Sequence, residues 1–259
     1  MGDLHNPEAM RTLVAGCDAV IHAAGAVRGS RQSDFDKVNV DGTQALVQTL
    51  LATAPEARLL LVSSLAAREP QLSWYAQSKR AGEERIINSS LKNYTILRPP
   101  AVYGPGDQEM APIFEWMSRG IAPVPGATDA RLSLIHVDDL TTAAISVLLS
   151  DTATRQVFAL SDSAPNGYNW HDLAAIAGEV YGRTVRLWQI PGWLLDGAAA
   201  ANLRLARLTG NAPILTPAKL RELRHPDWVA DNQLLFQRTG WRPEIDLRTG
   251  LQSLDKAAL

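Results

Sequence analysis

Three short apolar runs, Ala19-Val20-Ile21-His22, Leu59-Leu60-Leu61-Val62 and Tyr94-Thr95-Ile96-Leu97, are separated by stretches with helical spacing. This alternation constrains the fold more than any other feature. Near-continuous apolar runs of this length read as strands buried on both faces. Between the first two, Asp36 to Thr53 carries Val38, Val40, Ala45, Leu46 and Leu50 at helical spacing, and Ser73 to Ser89 forms the next helical stretch. Strand, helix and strand in succession imply right-handed crossovers and a mostly parallel sheet. Pro99-Pro100 closes the third strand, because proline has no ladder donor. The first two strands, Ala19 to His22 included, are expected to be buried.

Beyond about residue 161 helical stretches dominate: Asn169 to Tyr181, Leu194 to Leu208 and Thr216 to Arg224, with one β-like segment at Thr184 to Ile190. Thr216-Pro217 suits a helix start, a capping hydroxyl followed by Pro at the first helical position. The 259 residues, 46% hydrophobic, suffice for one large domain or one domain with a smaller lobe. No repeat or low-complexity linker separates residues 1–160 from 161–259, so the two lobes are expected to interleave.

Several function classes fall away. A net charge of −2 with pI near 6.2 leaves no basic footprint for nucleic acid. Cys17 is the single cysteine, which excludes a disulfide framework and fits a reducing, cytoplasmic location. The five histidines form no close ligand pair, so no metal is expected. No apolar run reaches the roughly 18 residues of a membrane span. The polar start GDLHNPEAM has no signal-peptide core.

The chemistry-bearing residues follow the second run. Ser63-Ser64 ends that strand, and active-site groups in open α/β sheets collect at the carboxyl ends of strands. Tyr75 and Lys79 stand four apart, one above the other on a helix face. By itself that pair fits packing as well as chemistry. A free phenol, with pKa near 10, is a poor base at neutral pH. The Lys79 ammonium beside it is expected to pull that value down.

The motifs carry a resemblance when taken in chain order. Asp3-Leu4, Asp18-Ala19-Val20-Ile21-His22-Ala23-Ala24-Gly25 and Val38-Asn39-Val40-Asp41-Gly42-Thr43 are followed by Ser64, Tyr75 and Lys79. Then come Arg98-Pro99-Pro100-Ala101-Val102-Tyr103-Gly104-Pro105-Gly106, Leu134-Ile135-His136-Val137-Asp138-Asp139-Leu140 and Thr239-Gly240-Trp241-Arg242-Pro243. The chain resembles the extended short-chain dehydrogenases/reductases, the NAD-dependent epimerase/dehydratase group.

That resemblance implies an α/β fold, a Rossmann-like doubly wound parallel sheet, with a small, mostly helical C-terminal substrate lobe. Residues 1–160 would form the dinucleotide-binding part and 161–259 mainly the substrate lobe. It implies NAD or NADP as cofactor, with Asp3 and Leu4 at the adenine and Ala23, Ala24, Gly25, Tyr75 and Lys79 against the cofactor. Asn39 would lie near the lysine, and Pro99 and Pro100 beside the nicotinamide. Ser64, Tyr75 and Lys79 would be catalytic, Tyr75 as acid/base while hydride passes between nicotinamide and a secondary alcohol or ketone. A non-catalytic dinucleotide-binding or scaffold subunit, or an inactive fragment, is the alternative. Retention of both Tyr75 and Lys79 favours the enzyme. A small molecule is the expected partner, and a homodimer is left open.

Departures matter too. The glycine-rich turn that receives the pyrophosphate in relatives is not found, nor are the two strand-helix units that contain it and precede the Asp3-Leu4 position there, about 60 residues at this scale. The expectation is a sheet lacking its first βαβ segment, from a fragment or misplaced start, with apolar edges exposed and weak cofactor binding.

Two substrate classes stay open. Trp170, Trp188, Trp193 and Trp228 could line a site for a hydroxysteroid-like ring, though core filling is the favoured reading for them. Arg221 and Arg224, before Asp227-Trp228-Val229-Ala230-Asp231, resemble the diphosphate arginines of nucleotide-sugar members. Arg131 is one residue out of register with another. Asp138 and Asp139 are expected to cap a helix. Gly104 and Gly106 are expected to serve a turn at Pro105.

Overall fold

The computed structural model describes residues 3–213 and 215–257. Its strands are β1 (Ala19–His22), β2 (Arg58–Val62), β3 (Tyr94–Arg98), β4 (Ala101–Tyr103), β5 (Ile121–Val124), β6 (Arg131–Leu132), β7 (Leu134–His136), β8 (Gln156–Ala159), β9 (Arg186–Gln189) and β10 (Asp227–Trp228). Four of them form a wholly parallel sheet in the order β1-β2-β3-β8. The others pair two by two, β4 with β7, β5 with β9 and β6 with β10, again parallel.

Helices α1 (Pro7–Val14), α2 (Gln32–Asp36), α3 (Thr43–Thr53) and α4 (Trp74–Ile87) precede β3, and α5 (Ala111–Ser118) and α6 (Val137–Leu149) precede β8. The rest are α7 (Trp170–Val180), α8 (Gly192–Thr209), α9 (Pro217–Leu223), α10 (Gln233–Thr239) and α11 (Leu247–Ala257). Successive side chains of a strand point to opposite faces. Leu59 and Leu61 of β2 therefore meet Val14, Leu50 and Ile86 from α1, α3 and α4. Leu60 meets Val147 and Leu235 from α6 and α10. Helices on both faces make this a Rossmann-like, doubly wound sheet. A further core around Tyr103, Phe114, Met117, Trp170 and Leu251 draws on residues from both sides of position 160.

Three local expectations need correction. The first strand is not buried: β1 stands at the sheet edge, paired on one side only, and Ile21 is 51% exposed. The helical pattern of 36–53 begins at Gln32 and winds as a π-helix over Lys37–Gly42. Gly82 of α4 makes room there, since a Cβ on it would run into the Asn39 carbonyl. Nor do Asp138 and Asp139 cap α6. The His136 ring accepts the Asp138 N–H, and Asp139 accepts from the N–H groups of Glu244 and Ile245 at 3.1 and 2.9 Å. Other expectations match. Thr216 accepts the Lys219 N–H at the start of α9, and Gly104 and Gly106 have φ of 145° and 85° around Pro105.

Candidate active site

Helix α4 is bonded to the end of the central strand along one stripe. Its N-cap Ser73 accepts the Ala76 N–H at 2.9 Å, which sets Tyr75 in the first turn. One turn on, the buried Lys79 ammonium donates to the Val62 carbonyl at 2.9 Å, just before the two serines. A turn further, Glu83, wholly buried, accepts from Ser63 Oγ at 2.5 Å and from Arg98 Nε at 2.9 Å. Phenol, ammonium and carboxylate thus follow one another at intervals of four residues. Ser64 begins the next turn: its Oγ accepts the Ala66 N–H at 3.2 Å and faces the Tyr75 phenol, whose pKa it lowers.

Electrostatics at the phenol differ from the simple expectation. Burial pushes the Tyr75 pKa up, opposed by the Ser64 hydroxyl and the Lys219 ammonium, while Glu222 and Glu109 push it further up. Lys219, rather than Lys79, is the leading cation acting on it. The Lys79 ammonium is turned to the Val62 carbonyl, and burial pulls its own pKa to about 8 despite Glu83. Burial, with the Lys79 charge second, also holds His22 down at about 4, so its ring is neutral and meets Thr43 Oγ1 at 3.0 Å.

The second ammonium comes from α9. Lys219 Nζ lies 5.8 Å from the Tyr75 ring centroid and 3.1 Å from Glu222 Oε2. The other Glu222 oxygen accepts from Ser73 Oγ, tying α9 to the cap of α4. Arg68, just after Ser64, reaches the Asp227 and Val229 carbonyls and lies over the Trp228 ring. Lys219, Glu222, Arg68, Glu83 and Arg98 were all missed as site residues. The i, i+4 step from Lys79 to Glu83 and the i, i+3 pair in α9 were the available signals.

Tyr75, Ser64 and Lys219 open on a cavity of about 680 Å³. Its wall is mostly apolar, with Leu65, Val102, Ile113, Leu132, Leu173 and Trp228 prominent. Pro100 also lines it, while Pro99 is buried and its carbonyl accepts the Leu65 N–H at 2.7 Å. Arg221 and Arg224 do not line it. Arg221 Nε donates to the Leu72 carbonyl at 2.8 Å, and Arg224 pairs with Asp196 at 2.7 Å while bonding the Pro125 and Gly192 carbonyls. Arg131 lines the cavity, yet its guanidinium is held by the Asn166 and Gly167 carbonyls.

On the other side of Lys79, beyond β1, the backbone of Ala23, Ala24 and Gly25 is exposed. Asn39 bonds Ala26 N and O at 2.8 and 3.0 Å and Ser78 Oγ at 2.8 Å, fixing that loop to α4. Asp3, exposed, accepts from the His5 N–H, and Leu4 packs over Gly42.

Residues 1–160 match the model of the NAD dependent epimerase/dehydratase family. The chain belongs to that family. As a member, it is an enzyme of the NAD(P)-dependent dehydrogenase, reductase and epimerase type, with NAD or NADP as cofactor. It is 39% identical over 229 residues to the ceramide reductase of Caulobacter vibrioides, covering 88% of this chain and 70% of that one. The UDP-glucose 4-epimerase of Thermotoga maritima, solved with UDP-glucose, has the same fold. Its TM-score is 0.73 at 18% identity, over 100% of this chain and 84% of that one. RMD from Pseudomonas aeruginosa, complexed with NADPH, gives 0.71 at 19% identity over 98% and 86%. The site of this family member fits such a cofactor. A Cβ on Gly25 would stand 3.2 Å from Asn39 Oδ1 and 3.6 Å from Lys79 Nζ, so glycine keeps the space before the ammonium open. Among the described residues Lys79 donates to the Val62 carbonyl alone, which leaves N–H groups for ribose hydroxyls. No helix among the described residues is long and apolar enough to cross a membrane.

Proposed function

We propose that this enzyme interconverts a secondary alcohol and its ketone on an apolar, lipid-like substrate, with Tyr75 moving the proton. The observation that carries this reading is the apolar cavity with Tyr75 and Ser64 in its wall, from which both candidate diphosphate arginines are absent. The similarity to a protein named ceramide reductase supports it.

Lys79, Asn39 and the Ala23–Gly25 backbone would hold the cofactor, with Pro99 and Pro100 closing its nicotinamide end and Asp3 and Leu4 near its adenine. The nicotinamide, when bound, supplies hydride to the ketone carbon or takes it from the alcohol carbon. In reduction, the Tyr75 O–H gives its proton to the carbonyl oxygen, and Ser64 donates a hydrogen bond to that same oxygen. In oxidation, the phenolate takes the alcohol proton. A raised phenol pKa keeps Tyr75 protonated at neutral pH, the form that reduction needs. Oxidation needs the deprotonated form, so its rate is expected to rise as pH climbs toward that pKa.

Lys219 is the cation facing the phenol, and its loss should raise the phenol pKa. Lys219→Met is expected to move the alkaline limb of the oxidative pH–rate profile to higher pH, and Lys219→Arg to restore it. Identical limbs in all three proteins would remove Lys219 from the mechanism.

The substrate class is tested by NAD(P)H consumption with long-chain apolar ketones, ceramide-type ketones among them, beside thermal shifts with UDP-sugars. Turnover with the former and no shift with the latter is expected. A nucleotide sugar present at a hundredfold its Kd would stabilise the fold by about 2.7 kcal/mol, an easily measured shift. Such a shift, abolished by Arg221→Lys or Arg224→Lys through loss of the guanidinium fork, would replace the apolar reading with a diphosphate one.

A further inference from the structure

Helix α8 turns a broad apolar face to solvent. Its inner side, with Ala199 and Ala206 buried, packs toward α9, and Asn202 Nδ2 donates to the Leu215 carbonyl at 3.0 Å. The outer side carries Trp193, Leu194, Leu205 and Leu208 at 76, 45, 59 and 85% exposure. Gly197, Ala198 and Ala201, also exposed, fill the helical spacing between them. Core filling therefore accounts for Trp170, which is buried, and not for Trp193 or the half-exposed Trp188. The reason is position, because Trp193 opens α8 on the side away from α9.

Charge accompanies this face. Arg204 lies within the apolar arc and Arg207 at its border. Both are exposed, and neither forms an ion pair among the described residues. The one carboxylate of the helix, Asp196, is taken by Arg224. An apolar face opened by tryptophan and flanked by unpaired arginines matches a helix lying in the interface of an anionic bilayer. Leucines enter the acyl region there, the indole sits at headgroup level and arginines extend to phosphates. A second copy apposed face to face would instead bring both pairs of arginines together. The position is also apt. Ile190, just before α8, and Lys219, Glu222 and Leu223 of α9 all line the cavity.

We propose that the outer face of α8 docks this protein on an anionic lipid bilayer, with the mouth of the apolar cavity beside the membrane. The proposal extends the apolar-substrate reading but rests on α8 alone, and binding is read without cofactor or substrate. Co-sedimentation with vesicles of phosphatidylcholine and phosphatidylglycerol should show binding that weakens with salt and with phosphatidylcholine alone. The double variant Arg204→Gln/Arg207→Gln should bind about thirtyfold more weakly. Leu205→Asp/Leu208→Asp should abolish binding. These side chains are exposed, so an unchanged melting temperature and circular dichroism spectrum are expected of both variants. Failure of the parent chain to sediment with the mixed vesicles, or parent-like binding by either variant, overturns the proposal. So does a solution dimer that Leu205→Asp/Leu208→Asp dissolves, which would give the face to a second copy. Loss of vesicle binding with apolar ketones still turned over would leave the substrate reading standing.

Discussion

Tyr75→Phe is expected to lower turnover by about 10² to 10⁴ while leaving cofactor affinity almost unchanged. The change removes the hydroxyl proposed to exchange a proton with the substrate oxygen. It keeps the ring, which packs 6.3 Å from Phe35 and under the Lys219 ammonium. The groups proposed to hold the dinucleotide do not depend on the phenol. Lys79 is anchored on the Val62 carbonyl and Asn39 on Ala26 and Ser78. Lys79→Ala, by contrast, should damage both affinity and turnover. Steady-state kinetics on a ketone, with dinucleotide titration of each variant, separates the two effects. Near-full turnover by Tyr75→Phe would sink the acid/base assignment.

The largest expected loss of stability comes from Glu83→Ala. Its carboxylate is wholly buried and accepts from Arg98 twice, at 2.9 and 2.5 Å, and from Ser63. Removing one partner of a buried pair leaves the other charge uncompensated, at a cost of about 3–5 kcal/mol. The Arg98 side chain, 16% exposed, has little water to fall back on. Glu83→Gln keeps the shape and should cost less. The Glu83 charge also opposes the effect of burial on Lys79, so its loss should let Lys79 give up its proton at lower pH. Urea unfolding of the two variants measures the first effect. A loss below about 1 kcal/mol for Glu83→Ala would place the pair among ion pairs of little net worth.

Much of the sheet was legible because periodicity is local. Leu59 to Val62 reads as a buried strand from its own residues, and the structure sets it at the sheet centre, helices on both faces. The start of α9 was readable from Thr216-Pro217 for the same reason, since a cap needs only its own turn. At the site, the i, i+4 relation of Tyr75 and Lys79 follows from helix geometry. Tyr75 does open on the cavity and Lys79 does reach the strand end. The burial of Ala19 to Ile21 was not legible, because an edge strand and a central strand can carry the same apolar run.

The sequence by itself determined the alternation of strand and helix, and the stripe that sets a phenol, an ammonium and a carboxylate along α4. Both follow from the fixed rise and twist of each element. Tertiary structure alone decided which charge faces the phenol. Lys79 is the neighbour along the helix, but burial turns its ammonium to the Val62 carbonyl and Lys219 comes from a distant segment. It also decided that Arg221 and Arg224 bond to protein carbonyls and Asp196 away from the cavity, and that Trp193 faces solvent. A side chain's charge is written in the sequence. Its partner is set by which distant backbone and carboxylate groups the fold places within about 3 Å of it.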